Sequence, residues 1–302
     1  MDSVDDGSGS AHGFASDYAT PARRVLPCLG ARGFHRTVYW EYGSRPAQGG
    51  RPDTVCVHGL TRQGRDFDAL AADLARDRRV ACPDIVGRGA SDWLADPSEY
   101  GYPRYVGDMA TLIARLDTDS VDWVGTSMGG LIGLFLAATP GNPIRRLVLN
   151  DIGPFLPAAA VGAIVDGLGE KTFADIDALE AHLRESSAGF GPLTDAQWRH
   201  LARVSSEIRP DGTVARNYDP AIAEPLRAAP VEDVDLWAYW DAVRCPVLVI
   251  RGAESPLLTE AIVAEMRRRG PDAEVVTVPG TGHAPMLMAP DQIAAVRGFL
   301  DA

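Results

Sequence analysis

No stretch of eighteen consecutive apolar residues occurs in the 302-residue sequence, so it offers no candidate for a membrane-spanning helix. Positive charge is in deficit. The 29 Lys and Arg face 41 Asp and Glu, a formal net charge of -12. Nucleic acid and anionic membrane surfaces attract an excess of Lys and Arg, so neither is expected as a partner. The amino terminus carries Asp2, Asp5 and Asp6 where a secretory signal needs positive charge and then an apolar segment, so a cytoplasmic location is expected. Cysteine is scarce. Cys28, Cys56, Cys82 and Cys245 show neither C-x-x-C nor histidine-bearing metal spacing, and three sit in apolar strand-like runs. Reduced core residues are expected, with no metal site. Only six histidines are present, so each can be weighed singly.

What is abundant is apolar residues, at 46%, enough for one large core in a chain of this length. Residues 1 to 20 are polar and rich in glycine and serine, as in Gly7-Ser-Gly-Ser10, and are expected to be a disordered tail. Thr37 to Tyr42 alternates and is rich in β-formers, which predicts a strand on the antiparallel side of a sheet. From Thr54 strand and helix patterns alternate: Thr54 to Val57, Asp66 to Arg76, Arg79 to Pro83, Tyr102 to Leu116, Val121 to Gly125, Leu131 to Ala138 and Arg146 to Asn150. This rhythm predicts a mostly parallel, doubly wound α/β sheet covered on both faces. Between Ile152 and Val243 it stops, and helix-like segments follow near Ala158 to Gly167, Phe173 to Ser186, Thr194 to Glu207 and Asp235 to Ala242. Thr194-Asp-Ala-Gln197 and Asp235 read as amino-terminal caps. The sheet pattern resumes with Cys245 to Arg251, helix Thr259 to Arg269, strand Ala273 to Val278 and helix Pro290 to Leu300. The expected division is residues 21–151 and 245–302 as core, with 152–244 inserted.

One stretch carries chemistry: Val121-Asp-Trp-Val-Gly-Thr-Ser-Met-Gly-Gly130 contains G-x-S-x-G at Gly125, Ser127 and Gly129. Alone the motif is weak, since it arises by chance in roughly one chain of this length in ten. Here an apolar strand precedes it and a run of helix formers follows, the context it needs. Small residues on either side let the backbone turn sharply and expose the Ser127 hydroxyl, with a helix amino terminus facing any oxyanion formed there. A second element, His58-Gly59-Leu60, follows another apolar strand.

Together these residues resemble the α/β-hydrolase fold superfamily, from about residue 35 to the end. His58-Gly59-Leu60 resembles its oxyanion loop, Pro83-Asp84-Ile-Val-Gly87-Arg-Gly89-Ala-Ser91-Asp92 its Asp-x-x-G-x-G-x-Ser loop, and Gly282-His283 its terminal histidine. The resemblance implies a serine nucleophile at Ser127, a general base at His283, an oxyanion hole from the backbone N–H groups of Leu60 and Met128, and a cap made by the inserted helices. By the same resemblance His58 and Asp84 organise loops. His182 and His200 fall on inserted helices where surface exposure is expected. A serine at position 127 argues against epoxide hydrolases and haloalkane dehalogenases, which resembling sequences equip with aspartate there.

The acid departs from the pattern. Many relatives place aspartate after the serine of an Arg-Gly-x-x-Ser stretch, but Arg251-Gly-Ala-Glu-Ser255 is followed by Pro256, and a neutral proline cannot hold an imidazolium. Glu254 and Asp151 remain as candidates. Asp151, at the end of the strand Leu147 to Asn150, is preferred, because some superfamily members take their acid from that strand. The inserted segment is rich in bulky aromatics, among them Phe173, Phe190 and Tyr239. Most are expected to pack together, with Phe155, Trp198, Trp237 and Trp240 foremost as pocket candidates. The resulting expectation is hydrolysis of an ester, thioester or lactone of a small, largely apolar substrate through an acyl-enzyme, with no metal or organic cofactor. Three alternatives stay open: a weakly active binding protein, an acyltransferase, and a carbon-carbon hydrolase on the same residues.

Overall fold

The computed structural model describes residues 20–45 and 50–302. Apart from Thr20, the tail expected to be disordered lies outside them, as does His12. The described residues begin with a hairpin, β1 (Ala22–Gly30) and β2 (Gly33–Tyr42), and continue through β3 (Asp53–Val57), α1 (Asp68–Leu74), β4 (Val80–Asp84), α2 (Tyr102–Leu116), β5 (Val121–Thr126), α3 (Met128–Ala138) and β6 (Ile144–Asn150). The inserted segment holds β7 (Phe155–Leu156), α4 (Ala158–Asp166), β8 (Thr172–Phe173), α5 (Ile176–Ser186), α6 (Asp195–Val204), β9 (Ser206–Ile208), β10 (Val214–Arg216), α7 (Ala223–Ala228), β11 (Val234–Asp235) and α8 (Trp237–Ala242). The chain closes with β12 (Val247–Gly252), α9 (Glu260–Met266), β13 (Ala273–Val278) and α10 (Pro290–Asp301). No described helix is long and apolar enough to cross a membrane.

The main sheet has eight strands in the order β1-β2-β4-β3-β5-β6-β12-β13. β2 runs antiparallel to both its neighbours, and the pairs from β4 to β13 are parallel. This is the mostly parallel α/β sheet that the alternation predicts. Strands β3 and β4 are buried at every residue, as parallel strands covered on two faces must be, whereas edge strand β1 is mostly exposed. β1 escapes the sequence pattern because Pro27 interrupts it, and only a sheet edge tolerates the missing N–H. One apolar cluster gathers α2, α3 and α8 on one face, and a second packs α1 and α10 on the other. Helix α3 is buried on nearly every side, so it is apolar throughout rather than striped.

The inserted segment has its own small core around Leu179, Leu183, Trp198, Leu201 and Val214. The four expected helices form, α7 is one the sequence pattern did not indicate, and Thr194 and Gln197 form a reciprocal capping box at the start of α6. Helix α8 begins later than expected, at Trp237, although the Asp235 carboxylate still accepts the Trp237 N–H at 2.9 Å. Two of the expected helices are shortened by strand. Thr172–Phe173, Ser206–Ile208 and Val214–Arg216 pair as a three-stranded antiparallel sheet, and β7 pairs with β11. Strands of two or three residues are too short to show a period of two, which is why the sequence does not reveal them.

Candidate active site

Strand β5 ends at Thr126, and Ser127 follows with φ 52° and ψ -116°, a conformation that side-chain-bearing residues rarely adopt. The turn is possible because its flanks are bare. A Cβ on Gly125 would collide with the Gly129 carbonyl, and one on Gly129 with the Val57 carbonyl of the neighbouring strand. The Ser127 N–H donates to Asn150 O at 3.0 Å and its carbonyl accepts from Gly130 and Leu131, so the strained residue is tied at both ends. Asn150 in turn donates from Nδ2 to Thr126 Oγ1 at 2.9 Å and to Pro285 O at 2.7 Å, joining β6 to the loop that carries His283.

Beyond Asn150, Asp151 turns into the left-handed region at φ 54°, which aspartate tolerates better than most residues. Its N–H still bonds Ile250 O at 2.7 Å, so the β6–β12 ladder continues to the turn. The carboxylate is fully buried and fully occupied. Oδ1 accepts the Gly252 N–H at 2.7 Å, and Oδ2 accepts the Ser255 hydroxyl at 2.6 Å and lies 2.7 Å from His283 Nδ1. His283 Nε2 lies 2.9 Å from Ser127 Oγ. A carboxylate only accepts, so His283 donates from Nδ1 and keeps the Nε2 lone pair for the serine hydroxyl. A proton can therefore leave Ser127 along one line of hydrogen bonds.

Of the two acid candidates, the structure brings Asp151 to His283 and leaves Glu254 exposed. Pro256 lines the cavity above Ser127, where it supplies no acceptor. In the sequence Ser255 stands out only as part of a family stretch. Its Oγ donates to Asp151 while accepting the Leu257 and Leu258 N–H groups at 3.2 and 3.1 Å, so it fixes the carboxylate.

Leu60 and Met128 stand near Ser127, and among the described residues neither backbone N–H donates a hydrogen bond to another backbone group. The loop bearing Leu60 is held from behind by Arg88, fully buried, whose Nε donates to Leu60 O at 2.8 Å and whose Nη1 donates to Val86 O and the Tyr105 hydroxyl. His58 is a strut. It donates from Nδ1 to Gly59 O at 2.7 Å and accepts the Ile85 N–H on Nε2 at 2.9 Å, and burial drives its pKa down to about 3. Asp84 accepts the Gly64 and Ala90 N–H groups and Trp40 Nε1, with burial pushing its pKa up to about 6.

A cavity of about 580 Å³ opens over Ser127 and His283, roofed by the inserted segment. Four pocket expectations need correction: Phe155, Trp198, Trp237 and Trp240 do not line it. Phe155 sits in β7 against the main core. Trp198 lies in the insert's own core, stacked behind Phe190 with ring centroids 6.2 Å apart. Trp237 packs under the Arg269 guanidinium, and Trp240 is wholly buried with its Nε1 on Arg269 O at 2.8 Å. Large aromatics fill the spaces between elements, where burial gains most, and leave the wall to smaller side chains. The wall is instead built from Ala159, Ala160, Ala163, Ile164 and Leu168 of α4 and its C-terminal turn, with Phe190 the one insert aromatic on it. His182 also lines the cavity rather than facing outward. The insert reaches the histidine loop directly, through Gly282 N–H donating to Gly189 O at 2.8 Å.

One other cluster has metal-ligating chemistry. The hairpin and α2 bring Cys28, His35 and Asp108 together, with ligand atoms within 4.8 Å of one another. His35 Nε2 already lies 2.8 Å from Asp108 Oδ2, and burial together with the Asp108 charge pushes the Cys28 thiol up to about 11. A protonated thiol beside a hydrogen-bonded pair fits a buried brace between strand and helix.

The fold and the cleft define a hydrolase of the α/β class. Residues 54–296 match the model of the alpha/beta hydrolase family, and the chain belongs to that family. It is 46% identical to a 3-hydroxybutyrate-oligomer hydrolase of Cupriavidus necator, over 93% of this chain and 98% of that protein. It is 30% identical to a 2-(acetamidomethylene)succinate hydrolase of Mesorhizobium japonicum, over 84% of this chain and 90% of that one. Among solved structures, an alpha/beta hydrolase from Novosphingobium aromaticivorans superposes with a TM-score of 0.83 at 35% identity, covering 96% of this chain and 99% of that chain.

Proposed function

We propose that the protein is a serine esterase that hydrolyses short, linear hydroxyacid esters, with Ser127 as nucleophile, His283 as general base and acid, and Asp151 as the acid partner. The observation that carries this reading is the unbroken chain Ser127 Oγ, His283 Nε2, His283 Nδ1, Asp151 Oδ2 on the floor of the cavity. His283 Nε2 takes the hydroxyl proton as Ser127 Oγ bonds to the ester carbonyl carbon. The carbonyl oxygen gains the charge and accepts from the Leu60 and Met128 N–H groups, which no other group competes for. The C–O bond to the alcohol then breaks, and the departing oxygen takes the proton from Nε2. Water attacks the acyl-enzyme by the same route, returning the proton and freeing Ser127. Asp151 keeps the Nδ1–H tautomer in place and faces the imidazolium in each half-reaction.

Residues 152–244 serve in this reading as a cap on the core of 21–151 and 245–302. The choice of hydroxyacid esters rests on the 46% identical relative, whose name specifies 3-hydroxybutyrate oligomers. The test is a fluorophosphonate label together with release of 3-hydroxybutyrate from its dimer and trimer. Wild-type protein takes up the label and releases monomer, and Ser127→Ala does neither while melting like the wild type. Labelling at another residue, or turnover surviving in Ser127→Ala, sinks the reading. A panel with thioesters and carbon-carbon-cleavage substrates separates ester hydrolysis from the other chemistries the same residues can run.

A further inference from the structure

The cavity carries positive charge in a protein that is strongly negative. Its lining includes three fixed cations, Arg62, Lys171 and Arg216, and a single carboxylate, Asp66. Asp66 is fully engaged by Arg62, through Nε at 2.6 Å and Nη2 at 2.8 Å, so this pair is neutral as a unit. Two cations remain uncompensated where the chain as a whole has a formal charge of -12.

Arg216 is the better fixed of the two. It ends β10, where its Nη2 donates to the Thr61 hydroxyl at 2.8 Å and its guanidinium lies over the Tyr218 ring at 4.9 Å. Among the described residues its Nε is a buried donor without a partner and its Nη1 makes no hydrogen bond. No carboxylate forms an ion pair with it among the described residues. Burial, and behind it the Arg62 charge, holds its pKa down at about 10, so it remains a cation at neutral pH. A half-buried guanidinium with no ion-pair partner on the wall of a cavity is a place where an anionic ligand group gains most. Lys171 stands exposed at the mouth on the same side, and His182 lies between, its pKa lowered by burial and then by the Lys171 and Arg216 charges.

Position gives the charge a use. Thr61 directly follows Leu60 of the proposed oxyanion hole, so Arg216 is anchored to the loop that would hold the reacting carbonyl. We infer that Arg216, with Lys171 at the rim, forms a subsite for the free carboxylate of the substrate, so that the enzyme selects esters ending in a carboxylic acid. The inference rests on the esterase reading and deepens it. The apolar wall of Ala159, Ala160, Ala163 and Ile164 accepts the aliphatic part, and the cations fix which end of the chain enters first.

The test compares the 3-hydroxybutyrate dimer bearing its free carboxylate with the same dimer capped as the primary amide, a neutral substrate of nearly equal shape. A charge-assisted hydrogen bond to arginine predicts a preference for the free acid of at least about tenfold in kcat/KM, carried mostly by KM. In Arg216→Gln that ratio falls toward one, and Arg216→Lys retains part of it. Lys171→Gln, at an exposed position, lowers the ratio by a smaller factor and serves as the variant of record should Arg216→Gln fail to fold. A wild-type ratio near one overturns the subsite, as does a ratio unchanged in the folded variants. A third substrate, p-nitrophenyl acetate, keeps the two failures apart. If its turnover survives Ser127→Ala, the nucleophile assignment fails, whereas Ser127-dependent turnover with a dimer ratio of one removes the carboxylate subsite alone.

Discussion

Two regions meet at the cavity, and they hold their side chains by different means. The loops at the carboxyl ends of β5, β6 and β12 fix atoms through backbone geometry: Ser127 and Asp151 sit at positive φ, and the Asp151 carboxylate has three partners. The inserted segment fixes its part by side-chain packing, with a small core behind and short aliphatic side chains in front. Substitution in the loops therefore removes a hydrogen bond that nothing else can replace. Substitution in the insert changes volume or charge and leaves the reacting atoms where they were. Under the proposed reading, the first region sets whether a reaction occurs and the second sets on what.

The sharpest way to break that distinction is at the carboxylates. Asp151→Asn leaves shape nearly unchanged but offers His283 an amide in place of an acceptor-only group, so the tautomer that serves Ser127 is no longer enforced. A loss in kcat approaching the roughly 10⁴-fold cost of amidating a triad aspartate is expected, with the melting temperature checked alongside. Glu254→Gln, at an exposed position, is expected to match the wild type. If Glu254→Gln were the crippled variant, the hydrogen bonds around Asp151 would be structural only. Pro256→Asp adds nothing, because His283 Nδ1 already has its acceptor.

Next in size is a pair that separates filling from lining. Trp240 is wholly buried against α9 and the main core, so Trp240→Ala removes a large packed side chain at a cost of about 3–5 kcal/mol in stability. At a temperature where it remains folded, its kcat/KM on short esters stays at the wild-type value. Ala160→Phe does the reverse, since it fills cavity space. Its melting temperature holds while turnover of trimeric esters falls relative to dimeric ones. A Trp240→Ala protein with altered chain-length selectivity would show that the pocket is sensed through the core.

The loop region was legible because its constraints are local. The turn at Ser127 demands bare residues at Gly125 and Gly129, and such demands leave a pattern of fixed spacing. Asp151 could be placed from strand order, since β6 ends beside β5 and Thr126 pairs with Asn150. Ser255 and Arg88 were legible only as members of a motif, because a donor to an acceptor distant in the chain has no spacing of its own. The insert was legible as helices and opaque as a wall. Which face of α4 meets the cavity depends on how it packs on its neighbours, and with little contrast in polarity between its sides the sequence of Ala158–Asp166 does not point anywhere. Arg216 was invisible for a related reason: it lies on a strand of three residues, paired with β9 across a turn.

The smallest expected effect tests the loop region through its stability. His58 is neutral in the folded protein, with both ring nitrogens used, and its pKa falls from an ordinary 6.5 to about 3 because it is buried. Between those values the unfolded chain binds a proton that the folded chain refuses, so the His58 contribution is complete above pH 6.5 and is lost as pH falls toward 3. The slope is about 1.4 kcal/mol per pH unit, hence about 2 kcal/mol lost between pH 6.5 and 5. Asp84 acts in the opposite sense: its pKa is raised from 3.8 to about 6, so the folded form binds the extra proton there and gains stability as pH falls through that range. The two partly cancel in the wild type, and a melting curve against pH cannot isolate either. His58→Gln can, because a glutamine amide reproduces one donor and one acceptor and does not titrate. The variant is expected to be less stable than the wild type at pH 7, with the gap narrowing by about 2 kcal/mol at pH 5. A gap of equal size at both pH values would mean that His58 is protonated alike in the folded and unfolded chains, and the strut under the oxyanion loop would not be the neutral imidazole its two hydrogen bonds require.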